Sequence, residues 1–408
     1  MEIRYPNCYK KFHCIAGACP DTCCAGWEIP VDPRSEKRYK DALKKGRIKD
    51  KVFAKKLKKH IKDGRIISND VTCPFLNKDG LCEMYIELGP EALCHTCTRH
   101  PRHMEDYGNL HEIVLLLSCP EVARLVLFEN DGGFYVRNLP ERQGNMDGID
   151  EELLDVLLQM RNLVWKTIGD SNLALDTRMM LTVALAHDVQ RRIAGKDYDG
   201  VREVVKRYER PDVAEQFVKQ WTVKSEMATA VQPTDTRLTN MAQIQEASTA
   251  NRFLLMSDFM ENLAELDTIC RDWPEMLETC RASLYHSKTS RADYAEKRRH
   301  MQDVHPEITG ELQNIFEYFT YSFVLPALYD GDVLTKMKMA VLCTMAMEEL
   351  YMVADRDAGE IQKINICHAL ARQIENSDEN RSELEQSLKT ETYSARRIID
   401  ALALAASK

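Results

Sequence analysis

Residues 149–160 read IDEELLDVLLQM, and they set the fold class. Asp150, Glu151 and Glu152 place acids in a first helical turn, where the helix dipole favours them. Leu153, Leu154, Val156, Leu157 and Met160 follow at the spacing that gathers apolar side chains on one helical face. The same pattern recurs downstream. It predicts helices over 174–194, 199–208, 211–221, 240–265, 271–283, 307–325, 332–354, 358–375 and 379–404. Only 17 glycines and 14 prolines interrupt the 408 residues, which agrees with a chain that is mainly α.

Upstream the pattern changes. The segment 140–150, PERQGNMDGID, is rich in turn formers, so a boundary is placed there. Residues 1–139 are expected to form a small cysteine-rich domain with one or two short strands. Residues 140–408 are expected to form a large α-helical body that recognises substrate. Within the first domain, HEIVLLLSC (111–119) reads as a buried strand and GGFYVRNL (132–139) as a second. GRIISNDVT (64–72) reads as a short strand or an extended connection, and residues 1–34 as loop. The stretch 35–62 is lysine-rich and helical, with Phe53, Leu57 and Ile61 on one face.

Ten of the 14 cysteines lie in the first 119 residues, at 8, 14, 19, 23, 24, 73, 82, 94, 97 and 119. The N-terminus has no apolar signal region, which argues for a cytoplasmic chain without disulfides, where dense cysteine means metal or redox chemistry. Hydrophobic residues at 44% and charged residues at 29% exclude bulk disorder. The most apolar stretch, 337–353, carries Lys338, Glu348 and Glu349 and is too short to span a bilayer. Charge is uneven. Residues 1–69 hold 18 Lys and Arg against 8 Asp and Glu, in a chain of net charge −9. A basic lobe on an acidic body argues against general nucleic-acid binding. The lysines of 37–62 are a solvated face, or they steer an acidic protein substrate.

The first cysteine block is Cys14-x4-Cys19-x3-Cys23-Cys24, and the second holds Cys73, Cys82, Cys94-x2-Cys97 and Cys119. On a helix, Cys19 and Cys23 would share one face, with Cys24 turned elsewhere toward a neighbouring iron or a second site. Thiolates ligate both zinc and iron–sulfur clusters, and spacing alone leaves both open; the single CxxC and the adjacent pair tilt the reading toward a cluster. Histidines 13, 95, 100, 103 and 111 lie nearby. Cys270, Cys280, Cys343 and Cys367 read as core thiols. A radical-enzyme CxxxCxxC is absent, because position 26 is glycine, and there is no Gly-rich dinucleotide turn, P-loop or HExxH.

Arg99 and Arg102 follow the CHTC turn, where they could balance thiolate charge or hold a cofactor carboxylate. Asp32 reads as the N-cap of a helix starting near Ser35. Trp27 is expected to pack over the cysteines, and Asp79-Gly80 to form a turn. The aromatic group Phe316, Tyr318, Phe319, Tyr321, Phe323 and Tyr329 reads as core, or as a cation-binding surface with Glu317.

Four cysteine-bearing blocks carry a family likeness: FHCIAGACPDTCCAGWEIPVD (12–32), CPFLNKDGLCEMYIELG (73–89), LCHTCTRHPRH (93–103) and LSCPEVARLVL (117–127). With ELQNIFEYFTYSFVLPALYDGD (311–332) and ARQIENS (371–377), they resemble the flagellin lysine N-methylase (FliB-type) family and its zinc- or iron-chelating N-terminal part. Asn376 stands where the family's tail pattern reads histidine. The resemblance implies methyl transfer from S-adenosylmethionine to lysine ε-amines of flagellin. It implies a [4Fe–4S] cluster held by Cys14, Cys19, Cys23, Cys24, Cys73, Cys82, Cys97 and Cys119, with Cys8 and Cys94 matching less closely. It names no catalytic residue. The competing reading is a non-catalytic iron- or zinc-chelating or redox module with a helical interaction body.

Overall fold

The computed structural model describes residues 1–25, 29–67, 72–130, 132–140, 142–217, 219, 237–286, 289–354 and 359–403, with backbone alone for 237–245. The N-terminal part runs β1 (Glu2–Pro6), β2 (Ile29–Pro30), α1 (Pro33–Lys44), α2 (Lys51–His60), β3 (Ile61–Lys62) and β4 (Arg65–Ile66). It continues through α3 (Glu83–Leu88), α4 (His95–Arg99), β5 (Arg102–Tyr107), β6 (Leu110–Leu115), α5 (Pro120–Phe128) and β7 (Phe134–Asn138). The body follows with α6 (Glu151–Ile168), α7 (Leu175–Ile193), α8 (Tyr198–Tyr208), α9 (Arg237–Glu265), α10 (Trp273–Leu284) and α11 (Arg291–Val304). It closes with α12 (Ile308–Val324), α13 (Ala327–Asp330), α14 (Val333–Val353), α15 (Glu360–Glu375), α16 (Asp378–Leu388) and α17 (Ala395–Leu402). The chain is mainly α, as its periodicity predicts.

Helix α6 shows how the body is specified. Asp150 caps it, its carboxylate accepting from Leu153 N at 3.0 Å, and Leu153, Val156, Leu157, Met160 and Val164 are buried. Helix α14 is buried on all sides from Met337 to Tyr351, so it forms the centre of the body. It packs against α12, α7, α10, α15 and α16.

A four-stranded sheet covers one end of the main core in the order β5-β6-β1-β7, with β1 parallel to β6 and antiparallel to β7. Both strands predicted at 111–119 and 132–139 are present, as β6 and β7. Strands β1 and β5 are additional. Residues 2–6, EIRYP, alternate apolar and polar as a strand should, but the run is short and sits among loop formers. Of the extended segment 64–72, Arg65 and Ile66 pair with β2 and β3 in a small second sheet, and 68–71 lie outside the described residues.

Two hydrophobic cores result. The main one takes Cys8, Phe12, Tyr107, Leu115 and Leu117 from the N-terminal part together with the helical body. The smaller gathers Ile29, Val31, Tyr39, Phe53, Leu57, Phe75, Met84 and Cys94, with Cys73, Cys82 and Cys97 packed against it.

Two helical expectations are corrected. The predicted 379–404 helix is broken into α16 and α17 by a 3-10 turn at Glu391–Tyr393, where Tyr393 turns inward to bury its ring. Helix α11 was not expected at all. It buries only Tyr294 and Met301, too sparse a stripe for periodicity, but its Ser290–Asp293 capping box is a readable start signal. Of the predicted 211–221 helix, residues 213–217 and 219 are helical, and 218, 220 and 221 lie outside the described residues. No helix among those described is long and apolar enough to cross a membrane.

Candidate metal centre

All fourteen cysteines are free. The loop 12–25 carries Cys14, Cys19, Cys23 and Cys24 without regular helix, so Cys19 and Cys23 do not share a helical face as their spacing suggested; Pro20 removes a backbone donor just after Cys19. Cys14 and Cys23 are exposed. Three further thiols sit at helix starts: Cys82 precedes α3, Cys94 precedes α4 and Cys119 precedes α5. A helix N-terminus favours the anionic thiolate.

The fold joins the two cysteine blocks. Cys73 N donates to Cys24 O at 2.6 Å, and Ala25 pairs with Thr72. Asn77 and Gly80 close the turn between Leu76 and Cys82, with Asn77 Oδ1 accepting from Asp79 N and Leu81 N at 2.9 Å each. The Cys94 thiol donates to Pro30 O at 3.7 Å, and Thr96 Oγ1 to the same carbonyl at 2.9 Å, which seats α4 on β2. Cys23 and Cys24 hydrogen-bond to each other yet have different wider neighbours. Cys23 feels Cys119 and Cys14, and Cys119 in turn feels Cys19 and Cys14. Cys24 acts on Cys73, Cys82 and Cys97.

Within each hydrogen-bonded thiol pair one member ionises more easily at the other's expense. The bond from Cys23 lowers Cys24, with help from Thr22 and the Arg372 charge, while Cys23 is raised. The bond from Cys97 lowers Cys94, while Cys97 is raised. Burial pushes Cys73 up to about 12 and Cys119 up to about 11. A thiophilic cation would reverse these last shifts, because coordination removes the proton. The donor set therefore fits an iron–sulfur cluster or zinc in its chemistry. Among the described residues no three His, Cys, Asp or Glu side chains converge, as they stand, on a point that could hold a metal ion.

Asp32 caps α1 as expected, accepting from Ser35 N at 2.9 Å, and its second oxygen accepts from His95 N at 2.9 Å. These bonds hold its carboxyl well below the usual range. One side chain thus ties α1 to the CHTC turn. Arg102 lies over the Tyr9 and Phe12 rings, its Nε donating to Tyr9 OH at 3.2 Å. Arg99 ends α4 and is exposed. Cys270, Cys280, Cys343 and Cys367 are buried in the main core, as are Phe316, Tyr318, Phe319, Tyr321 and Phe323, whereas Tyr329 is exposed. Trp27 lies outside the described residues.

Two features escaped the sequence reading. On α15, Arg372 and Glu375 reach back to the thiol loop and to the start of α5. Deep in the body, Arg252 and Arg298 meet Asp176, Glu348 and Glu349. Arg252 lies 2.5 Å from Glu348, and Arg298 lies 2.8 Å from Asp176 and 2.9 Å from Glu348. Tyr285 and Tyr294 donate to Glu349 at 2.9 and 2.5 Å. Burial would raise Glu348, but Arg298 and Arg252 outweigh it and keep the carboxylate charged at about 2. Sequence offers no signal for this network, since its members come from four helices and the Tyr285 turn.

A family model described as the FliB lysine N-methylase C-terminal domain matches residues 161–399. The chain belongs to the FliB lysine N-methylase family. It is 37% identical over 135 residues to the flagellar biosynthetic protein FliU of Salmonella muenchen, covering 32% of this chain and 80% of that one. It is 35% identical over 135 residues to a lysine-N-methylase of Salmonella typhimurium strain LT2, and 36% to one of Salmonella choleraesuis strain SC-B67. In both of these the match spans 34% of the relative's length. No solved structure matches.

Proposed function

We propose that this chain is a protein lysine N-methyltransferase that moves the methyl group of S-adenosylmethionine to lysine ε-amines of flagellin, with a cysteine-ligated [4Fe–4S] cluster at the N-terminal thiols. One observation carries the reading. In a member of the lysine N-methylase family, two cysteine blocks distant in sequence are joined at Cys24 and Cys73, and the loop that carries the first leaves Cys14 and Cys23 open to solvent. Structural thiols would be sealed, as the four in the helical body are.

Cys14, Cys19, Cys23 and Cys119 on one side, and Cys24, Cys73, Cys82 and Cys97 on the other, are the residues that would hold the cluster. When bound, the cluster supplies an iron position that can hold an amino and a carboxylate group. Arg99, exposed at the end of α4, and Arg102 would supply positive charge for that carboxylate. In the transfer itself the S–CH3 bond breaks and an N–CH3 bond forms. The lysine must first lose a proton, since an ammonium has no lone pair and its ordinary pKa is near 10.4. The thioether product leaves neutral.

Mass spectrometry of flagellin lysines tests the reading. Wild-type chain with S-adenosylmethionine should add mass in steps of about 14 Da to lysine peptides, and anaerobic reconstitution should give brown protein with about four irons and four sulfides per chain. Iron uptake without methyl transfer to any protein would favour the chelating or redox module. A colourless, zinc-loaded, active enzyme would remove the cluster.

A further inference from the structure

Helix α15 carries ARQIEN (371–376) at its C-terminal end, and this segment bonds to three distant stretches of backbone. Arg372 is almost fully buried. Its Nη1 pairs with the Asp21 carboxylate, and its Nη2 donates to Thr22 O at 3.1 Å and to Ala25 O. These three acceptors bracket Cys23 and Cys24. Three residues on, Glu375 accepts from Ser118 N at 2.8 Å and from Tyr318 OH. That bond sits beside Cys119. Gln373 accepts from Ile269 N at 3.0 Å. One turn before Arg372, His368 Nδ1 lies 3.8 Å from Asp21.

The loop 12–25 lacks α-helix and buries little beyond Phe12; Thr22 Oγ1 accepts from Cys24 N at 3.1 Å, a local turn that does not fix the loop against the body. A planar guanidinium can satisfy a carboxylate and two carbonyls at once, which a lysine ammonium cannot do with the same geometry. Arg372 therefore supplies what the loop lacks, from a helix some 350 residues away in sequence.

We propose that Arg372 and Glu375 are positioning residues that bring the Cys23–Cys24 pair and Cys119 together, so that the helical body sets the thiol geometry and with it the uptake of the metal group. The proposal rests on the reading of the N-terminal thiols as cluster ligands, and it assigns that control to the family's C-terminal domain. It explains why one chain carries both parts: α15 braces the thiol loop from the body, beside the ties that residues 72 and 73 make to Ala25 and Cys24.

The test uses the full-length chain with Arg372→Gln, Arg372→Lys and Glu375→Gln, each checked for native helix content and a melting midpoint within a few degrees of wild type. After anaerobic reconstitution, iron and sulfide per chain should fall at least twofold in both Arg372 variants and shift the electron paramagnetic resonance spectrum of the reduced protein. Asp21→Asn keeps the two carbonyl acceptors, so its loss should be smaller, and it serves where an Arg372 variant does not fold. Wild-type iron content with an unchanged spectrum in all variants would overturn the proposal. A second readout is independent of metal. In metal-free protein, alkylation of Cys23 and Cys24 should run at least threefold faster in Arg372→Gln than in wild type, with Cys73 unchanged. Equal rates would overturn the positioning role. A wild-type chain that takes up no iron would sink the cluster reading while leaving the alkylation result to decide this one.

Discussion

Arg161 on α6 makes a two-pronged ion pair with Glu112 on β6, at 2.8 and 2.5 Å, with both side chains buried. The guanidinium also lies 4.6 Å from the Trp165 ring centre and 5.3 Å from that of Tyr321. This pair fastens the N-terminal sheet to the helical body. A buried pair adds little over well-packed apolar residues, but breaking it strands a charge. Glu112→Gln should therefore cost about 3–5 kcal/mol, read by urea denaturation. The double change Glu112→Leu with Arg161→Met should recover most of that loss. If the double variant is as unstable as the single one, the cost lies in packing and not in the stranded charge.

Asp32 allows a finer test. Its carboxylate serves both Ser35 N and His95 N, so Asp32→Ala removes an N-cap and the tie to the CHTC turn together. The loss should be about 1–2 kcal/mol by thermal unfolding. Asp32→Asn keeps one acceptor oxygen and should lose less. An Asp32→Asn variant as stable as wild type would show that the second tie contributes nothing, and losses equal to those of Asp32→Ala would show that the retained bond contributes nothing.

Asp32 also marks where sequence reading succeeds. A cap acts on its own helix within three residues, so its partner is legible locally. The same holds for the apolar stripe of α6 and the turn at Gly80. The tie to His95 is 63 residues away and left no local trace. Arg372 is the extreme case, since its partners lie at positions 21, 22 and 25. The ten-cysteine concentration was visible in composition. Which thiols neighbour which depended on the pairing of Cys73 with Cys24, a contact between segments that no periodicity encodes. Helix α11 was missed because it is held by Tyr294 and Arg298 reaching a buried network, and not by an apolar face.

Two buried imidazoles make the seam sensitive to acid. Burial, reinforced by the Arg372 charge, pushes His100 down to about 4. Burial also lowers His368 to about 4, with Asp21 opposing and Arg372 reinforcing. A depressed folded pKa gives stability that is full above the unfolded value near 6.5 and is lost as pH falls toward 4, because only the unfolded chain takes up the proton. Each histidine should remove about 1.4 kcal/mol per pH unit across that window. Melting midpoints measured from pH 7 to 4 should show the decline, and His368→Gln should flatten it. A His368→Gln profile parallel to wild type would show that His368 is not buried neutral.

The thiol assignment separates ligands from core cysteines. Cys73→Ser and Cys119→Ser should each lower iron per reconstituted chain at least twofold. Cys343→Ser and Cys367→Ser should leave iron per folded chain unchanged while lowering stability, since each thiol is fully buried and a hydroxyl placed there costs about 1–3 kcal/mol when unpartnered. Iron loss in the core variants at wild-type folded yield would break the division.

The basic lobe predicts a substrate effect that depends on salt. Arg34, Lys37, Arg38, Lys45 and Arg47 line a surface groove of about 410 Å³ in which Asp41 and Glu91 are the acidic residues. Arg38 is engaged with Leu93 O at 3.3 Å, so Lys37, Lys45 and Arg47 are the better targets. Changing these three to Gln removes three positive charges without touching a thiol. If the groove steers an acidic protein, KM for flagellin should rise several-fold at low ionic strength while kcat holds, because surface charges act on encounter more than on chemistry. The gap between variant and wild type should close near 0.5 M salt, where the screening length falls to about 4 Å. A KM that is the same for both proteins at every salt concentration would make these three side chains a solvated face and nothing more.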